Sequence, residues 1–327
     1  MISEAKNITS KYADCIGCGN KNFNFICNFS DGSCKSKDKL QLVKCKSCGL
    51  IFINPIPDRK TLESYIQGHS LRTKIDDESY SRQLKQISIY KDKGRILDIG
   101  CSRGFFLNRM KQSGWSAFGV ELNKEMAAHA KEKLGLDIFC GTLQETRFFD
   151  EFFDVVNLRH VLEHLLSPYQ TLTHIHRVLK QEGIVVITVP NFEGFQRKIF
   201  GRYYLAIAGI LHISQFTPRS LRSLLERTGY QIISINTFQE GASVWLYGES
   251  LRYLLKDLKL YPFFDSQKQS HIGGEKTLNN ASVRRSNFIS IKDLLHSVER
   301  ILFKTVGKVG ESLGMGDVII CCARKIS

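Results

Sequence analysis

Four cysteines near the start of the sequence have the residue type and spacing of a metal site. Cys15 and Cys18 form one CxxCG motif, and Cys45 and Cys48 form a second. Each motif can make a tight turn that directs two thiolates at one ion, and the following glycine lets the backbone approach sulfur. Short apolar segments between and beside the two motifs are typical of strands. The pattern predicts a zinc ribbon with these four cysteines as ligands.

Two other interpretations of these cysteines stay open, namely unligated thiols and a redox pair. A thioredoxin-like CxxC would lie beside a βαβ pattern and would need no matching second pair. Four protein ligands leave no position on a zinc ion for a reacting water. We therefore expect the metal to be structural and the catalytic chemistry to lie elsewhere in the chain.

A glycine turn after a short apolar strand is the second feature that could do chemistry. The turn contains Gly100, Ser102 and Gly104, and it departs from the GxGxxG pattern of dinucleotide-binding proteins. Asp98 stands just before the turn, where a carboxylate suits a ligand that carries an ammonium group and no phosphate. Glu121 ends the next strand, where a carboxylate can accept both hydroxyls of a ribose. Together they predict a site for a nucleoside with a cationic amino-acid tail.

The elements that position these residues alternate between strand and helix from residue 94 onward. The pattern predicts a strand ending at Ile99, a helix over 105–113, a helix over 168–180 and a strand over 184–189. Alternation at this spacing is typical of a parallel, doubly wound α/β sheet. Ligands of such sheets lie at the carboxyl ends of the strands, which is where the glycine turn and Glu121 fall.

Five segments in a fixed order carry a resemblance to a known family. RILDIGCSRGFFL, FGVEL, FDVVNLRHVLEHLLSP, VLKQEGIVVITVPN and HISQFTPRSLRSLLERTGY resemble class I S-adenosylmethionine-dependent methyltransferases. The cysteine motifs resemble those of bacterial members with an amino-terminal CxxC…CxxC zinc module, which act in sugar, polysaccharide and secondary-metabolite pathways. The resemblance implies a Rossmann-like α/β sheet of seven strands, in which the last strand, near 317–323, runs antiparallel.

The resemblance also implies roles for residues around the cofactor, S-adenosylmethionine. Gly100, Ser102 and Gly104 would line its methionine end, and Glu121 would hold its ribose. Thr142 and Leu143, after the third strand, would lie on the adenine side. The family usually has glycine at the position of Ser102, so this residue departs from the pattern.

Methyl transfer to a hydroxyl requires a base, and candidates follow the fourth strand. His160 comes directly after that strand, with Glu163 and His164 one turn later, and His212 lies in a lid before the sixth strand. His160 is the first candidate, because an imidazole with an ordinary pKa near 6.5 is neutral at pH 7 to 8 and can accept a proton. Packing roles for all three histidines stay open.

The domain division that we predict has three parts. Residues 1–57 form the zinc ribbon, 58–94 a helical connector and 95–327 the methyltransferase domain, with a lid at 192–216 and an insertion at 238–316. The insertion contains amphipathic segments such as 250–260 and 291–309. It could cap the active site, form a dimer or rest on a membrane surface, and the sequence does not choose.

Composition and charge narrow the function. The formal net charge is +14, but the excess is spread along the chain, which favours an anionic small molecule over nucleic acid as partner. The first residues lack the apolar core of a secretory signal, and the longest apolar stretch, 203–213, has about half the length of a spanning helix. These features favour a cytoplasmic protein.

We therefore expect methyl transfer to a small-molecule acceptor such as a sugar, a nucleotide-sugar or a lipid-linked or polysaccharide precursor. Two alternatives remain. One is an RNA-modifying methyltransferase that docks through the ribbon and basic surface, and the other is a binding module without catalysis.

Overall fold

A computed structural model describes most of the chain. The described residues are 10–29, 40–68, 78–204, 211–240, 243–258 and 291–326. Parts of the predicted ribbon (1–9 and 30–39), connector (69–77), lid (205–210) and insertion (241–242 and 259–290) lie outside the described residues.

The amino-terminal part forms the strands predicted for a ribbon. In chain order the strands are β1 (Ser10–Lys11), β2 (Phe23–Phe29), β3 (Leu40–Cys45), β4 (Ile51–Asn54) and β5 (Ile56–Pro57). β2, β3 and β4 make an antiparallel sheet, and the short strand Ser214–Gln215 extends it beside β4. Cys15, Cys45 and Cys48 are buried in the same apolar cluster as residues of the central sheet. The ribbon therefore shares its core with the rest of the protein.

Helices and strands alternate in the remainder of the chain. The helices are α1 (Arg59–Gly68), α2 (Glu78–Tyr90), α3 (Phe105–Gln112), α4 (Lys124–Leu134), α5 (Pro168–Val178), α6 (Phe195–Phe200), α7 (Pro218–Arg227), α8 (Ser243–Asp257) and α9 (Ile291–Ser312). The further strands are β6 (Arg95–Ile99), β7 (Ser116–Glu121), β8 (Asp137–Cys140), β9 (Phe153–Arg159), β10 (Leu179–Pro190), β11 (Ser214–Gln215), β12 (Tyr230–Phe238) and β13 (Val318–Lys325).

The central sheet confirms the predicted α/β fold. Its strand order is β12-β13-β10-β9-β6-β7-β8. The five strands from β10 to β8 pair in parallel, whereas β13 runs antiparallel between β10 and β12. The carboxyl ends of β6, β7 and β9 lie next to one another, so the residues that follow them meet at one edge of the sheet.

Two predicted boundaries around α5 were wrong. The helix ends at Val178 instead of Lys180, and the strand begins at Leu179 instead of Ile184. Leu179 is fully buried and pairs with Phe153, and the register shifts before Ile184 pairs with Val155. Burial of Leu179 against the neighbouring strand ends the helix early.

The described part of the predicted insertion forms α8 and α9, which pack against α6. Tyr247 stacks on Phe303 with ring centroids 5.4 Å apart, and the rings of Phe200 and Tyr247 lie edge to face at 5.9 Å. Within the described parts of the chain, no helix is both long and apolar enough to span a bilayer.

Candidate functional site

The glycine turn between β6 and α3 adopts backbone angles that favour glycine. Gly100 and Gly104 have φ values of 70° and 80°, and Ser102 has a φ of 53°. A Cβ on Gly100 would lie 2.5 Å from the Val161 side chain, so a larger residue there would collide with the segment after β9. Ser102 has a side chain and still takes a left-handed conformation, which costs about 1 kcal/mol.

Glu121 ties this turn to the end of β7. Its carboxylate accepts one hydrogen bond from the Ser102 N–H and one from the Asn123 N–H, both at 2.7 Å. Burial raises the pKa of Glu121, and the backbone N–H groups oppose that shift. Each carboxylate oxygen has a second lone pair, so the group can also accept ribose hydroxyls.

Asp98 is buried at the end of β6 in a chain of amides. Asn157 Nδ2 donates to Asp98 Oδ1 at 2.6 Å, and Gln83 Nε2 of α2 donates to Asn157 Oδ1 at 3.0 Å. Burial raises the pKa of Asp98 to about 7, although the Asn157 hydrogen bond acts in the opposite direction. The carboxyl is thus held in one orientation and is about half ionised near neutral pH.

The predicted adenine side lies beside α1. Leu143 is buried in the core, and the Thr142 N–H donates to Glu145 Oε2 at 2.7 Å. A cavity of about 740 Å³ lies between α1 and the ends of β7 and β8, and its lining includes Leu122 and Gly141. The backbone of Thr142 therefore lies next to a volume large enough for a purine.

His160 sits between two carboxylates after β9. Its Nδ1 lies 3.3 Å from Glu163 Oε1, and its Nε2 lies 3.0 Å from Glu240 Oε2. Burial lowers the pKa of His160, but the two carboxylates outweigh it and raise the pKa to about 9. The expectation of a neutral imidazole at pH 7 to 8 was therefore wrong for the ligand-free protein.

Glu240 also pairs with Arg159, the last residue of β9. Burial raises the pKa of Glu240, but His160 and Arg159 together lower it to about 2. The Arg159 guanidinium lies over the Tyr80 ring, 5.2 Å from its centroid. The end of β9 thus carries two cationic side chains, Arg159 and His160, and both pair with the buried carboxylate of Glu240.

The remaining candidate bases lie beside His160. Glu163 Oε1 is 4.0 Å from His164 Nε2, and the rings of His164 and His212 have centroids 4.8 Å apart. His164 Nδ1 lies 2.8 Å from the Leu211 carbonyl oxygen. The structure therefore brings together all four of the residues that the sequence nominated for the acceptor site.

The four ribbon cysteines converge on one point. Cys15 Sγ lies 3.5 Å from Cys48 Sγ, and Cys18 Sγ lies 3.5 Å from Cys45 Sγ. All four sulfur atoms lie within 4.8 Å of one another. A tetrahedral zinc ion with bonds of about 2.3 Å places its thiolates about 3.8 Å apart, which is close to these separations. The glycines after both pairs have φ values of 73° and 74°, as the tight turns require. The donor set and geometry fit zinc.

Comparison with known proteins places the chain in a family. The sequence profile of a methyltransferase domain matches residues 71–235, about half of the chain. The chain belongs to this methyltransferase family. The order of its seven-stranded sheet and the glycine turn at the end of β6 agree with that assignment.

Known relatives of this methyltransferase align with only part of its sequence. An uncharacterized protein of Methanocaldococcus jannaschii is 30% identical over 37% of this chain and 57% of its own length. A ubiquinone biosynthesis O-methyltransferase of Ruegeria is 30% identical over 49% of this chain and 69% of its own. The chain spans about half the length of several of the curated relatives it matches.

A similar solved structure is that of a SAM-dependent methyltransferase from Archaeoglobus fulgidus. It is 21% identical, with a TM-score of 0.47, and the match covers 82% of this chain and 100% of the other.

The sequence analysis did not nominate three residues that the structure places at the candidate site of the methyltransferase. Glu240 lies 80 positions after His160, two residues beyond β12. Gln83 and Asn157, which support Asp98, lie on α2 and inside β9. A carboxylate just past a strand end was the signal available for Glu240. No sequence pattern pointed to the two amides.

Proposed function

We propose that this methyltransferase transfers a methyl group from S-adenosylmethionine to an oxygen of a small-molecule acceptor. The observation that carries the proposal is the left-handed turn of residues 100–104 joined to Glu121 at the end of β7. That pair offers backbone close to the methionine end and a carboxylate for the ribose, next to a cavity on the predicted adenine side. The family match supports the same cofactor.

The residues have distinct tasks in this proposal. When bound, S-adenosylmethionine supplies an electrophilic methyl group, and methyl transfer is an in-line displacement that depends mainly on positioning. Glu121, Asp98 and the glycine turn would orient the cofactor. His160, Glu163, His164 and His212 would surround the acceptor, whose proton must leave if the attacking atom is a hydroxyl oxygen.

The acceptor that we propose is a sugar, a nucleotide-sugar or a lipid-linked or polysaccharide precursor. Arg159 and a protonated His160 lie at the same strand end and are paired with Glu240 and Glu163, so this end carries charged hydrogen-bonding groups suited to a polar acceptor. Arg197 lies over the Phe192 ring at 5.0 Å in the predicted lid, which adds an aromatic face and a further cation. The Ruegeria relative is named as an O-methyltransferase, which favours an oxygen acceptor.

A direct assay tests the function. We expect the purified protein, given S-adenosylmethionine and a panel of nucleotide-sugars, to release S-adenosylhomocysteine and one product heavier by a methylene group. Reactions without an acceptor give the background. Methylation of RNA but of none of the sugars would contradict the acceptor class and would favour the RNA-modifying alternative.

We also propose that Cys15, Cys18, Cys45 and Cys48 hold one structural zinc ion per chain. Their four thiolates would saturate a tetrahedral ion. Because three of them are buried in the shared apolar cluster, the ion would fix the ribbon against the methyltransferase sheet.

Asp98 leads to a prediction about pH. If its carboxylate attracts the ammonium group of the cofactor, affinity for S-adenosylmethionine should rise as Asp98 ionises. A carboxyl with a pKa of about 7 is half ionised at pH 7 and about one tenth ionised at pH 6, so the Kd should be about fivefold weaker at pH 6. Calorimetric titration at both values measures the change.

The control for this prediction is Asp98→Asn, whose affinity should be low and nearly the same at both pH values. The other titratable or charged groups around Asp98 are Tyr80, Cys101, Glu121 and Arg159. Burial raises the pKa values of Tyr80 and Cys101 further above neutrality, and Arg159 stays charged. A pH response in Asp98→Asn as steep as in the wild type would assign it to another group, with Glu121 next to be examined.

A further inference from the structure

Glu163 is a buried carboxylate with few partners. Its side chain is 1% exposed, and neither oxygen accepts a hydrogen bond from a group that the structure describes. Its nearest described neighbours are His160 Nδ1 at 3.3 Å and His164 Nε2 at 4.0 Å. His160 is shared with Glu240, so it compensates Glu163 in part. A buried carboxylate needs a cation close to it, and the cation that Glu163 has is a histidine that also pairs with Glu240.

His164 is oriented toward Glu163 by a backbone contact. A carbonyl oxygen can only accept a hydrogen bond, so the contact with Leu211 O at 2.8 Å places the proton of a neutral His164 on Nδ1. The lone pair then resides on Nε2, the atom nearer to Glu163. A backbone carbonyl that fixes the tautomer in this way is the usual support of a metal-binding histidine.

His212 completes a group of three possible ligands. One ligand atom from each of Glu163, His164 and His212 lies within 4.8 Å of the others. Zinc bonds of about 2.0 to 2.1 Å bring tetrahedral ligand atoms to about 3.3 Å from one another. The three atoms would therefore need to close by roughly 1.5 Å or less, which rotation of the two partly exposed histidines can supply.

We propose that Glu163, His164 and His212 bind one divalent transition-metal ion of the zinc or ferrous class, at a site separate from the four cysteines. Two imidazoles and one carboxylate are the donor set that such ions take when positions are left for another ligand, whereas magnesium prefers oxygen donors. The histidines are partly exposed and Glu163 is not, so the open positions face solvent.

The ion would bind an oxygen of the acceptor and hold it beside His160. This role rests on the proposed function, but metal binding itself does not. A test on the free protein without S-adenosylmethionine therefore separates the two. Loss of the metal site would leave the methyl-transfer proposal standing, and an absence of methyl transfer would leave the metal site standing.

Cobalt is a suitable probe for this site. The full-length protein is first dialysed against a chelator under conditions that keep the cysteine-bound zinc, which elemental analysis verifies, and is then titrated with Co²⁺. We expect the wild type to bind one cobalt ion per chain, with the weak absorption of nitrogen and oxygen ligands and no thiolate-to-cobalt charge-transfer bands. His212→Asn and Glu163→Gln should each weaken cobalt binding at least tenfold.

His174→Asn is the matched control, because His174 lies on α5 and contacts Arg177 away from the cluster. It should bind cobalt as the wild type does. Thermal unfolding of the cobalt-free proteins shows whether each variant is folded. If Glu163→Gln does not fold, the cobalt affinity of His212→Asn alone tests the metal site. The proposal is overturned if the zinc-loaded wild type takes up no cobalt, or if folded His212→Asn binds cobalt as tightly as the control.

Discussion

Replacing Cys45 by serine is expected to release the proposed zinc ion and to destabilise the whole methyltransferase. Cys45 is buried in an apolar cluster that includes strands of the central sheet, and β11 joins the ribbon sheet to the segment before α7. Loss of a structural metal belongs to the largest single-residue effects, so the free energy of unfolding should fall by more than about 4 kcal/mol. Elemental analysis and denaturant titration measure the two effects.

Cys27→Ser is the matched control for this prediction. Cys27 is a half-buried free cysteine on β2 outside the cluster of four thiols. It should keep one zinc per chain and nearly wild-type stability. If Cys45→Ser retained its zinc and its stability as well, the assignment of the four ligands would be wrong.

Replacing Glu121 by alanine is expected to weaken S-adenosylmethionine binding by about 1 to 3 kcal/mol, or roughly 5- to 150-fold in Kd. The variant removes the proposed ribose acceptor and also leaves the Ser102 and Asn123 N–H groups without their carboxylate. Calorimetry on the wild type and the variant measures the loss. Glu125→Ala, an exposed change in the first turn of α4, is the control and should bind normally.

A cofactor analogue lacking the ribose 2′ hydroxyl separates the two effects of Glu121. If Glu121 contacts the ribose, the wild type should bind this analogue more weakly than S-adenosylmethionine, whereas Glu121→Ala should bind both alike. Equal discrimination by both proteins would mean that Glu121 only shapes the turn.

Local patterns were sufficient to predict the central sheet and to nominate residues for the cofactor side, whose roles stay predictions. Apolar residues recur with different periods in strands and in helices, so the strand ends can be located in the sequence. Asp98, Gly100 and Glu121 lie at or just after such ends and could therefore be nominated without coordinates. The antiparallel direction of β13 came from the family resemblance, because strand order depends on contacts between distant segments. The domain boundaries at 57 and 94 remain predictions.

The acceptor side was predicted less completely, for two physical reasons. His160 has a φ value of 52°, and side-chain type does not reveal that a non-glycine residue takes a left-handed conformation. The environment of His160 depends on Glu240, which the return of β12 brings back to the sheet edge. A pKa set by a residue 80 positions away could not be inferred from the local motif.

A crystal structure of the complex with S-adenosylhomocysteine would show whether the cofactor binds at the glycine turn and Glu121. We expect the ribose hydroxyls to lie on Glu121, the amino-acid end against the turn of residues 100–104 near Asp98, and the adenine in the cavity beside α1. The sulfur should then face the edge that carries His160. Ligand density away from this edge, or a ribose that does not reach Glu121, would show that the proposed cofactor site is wrong.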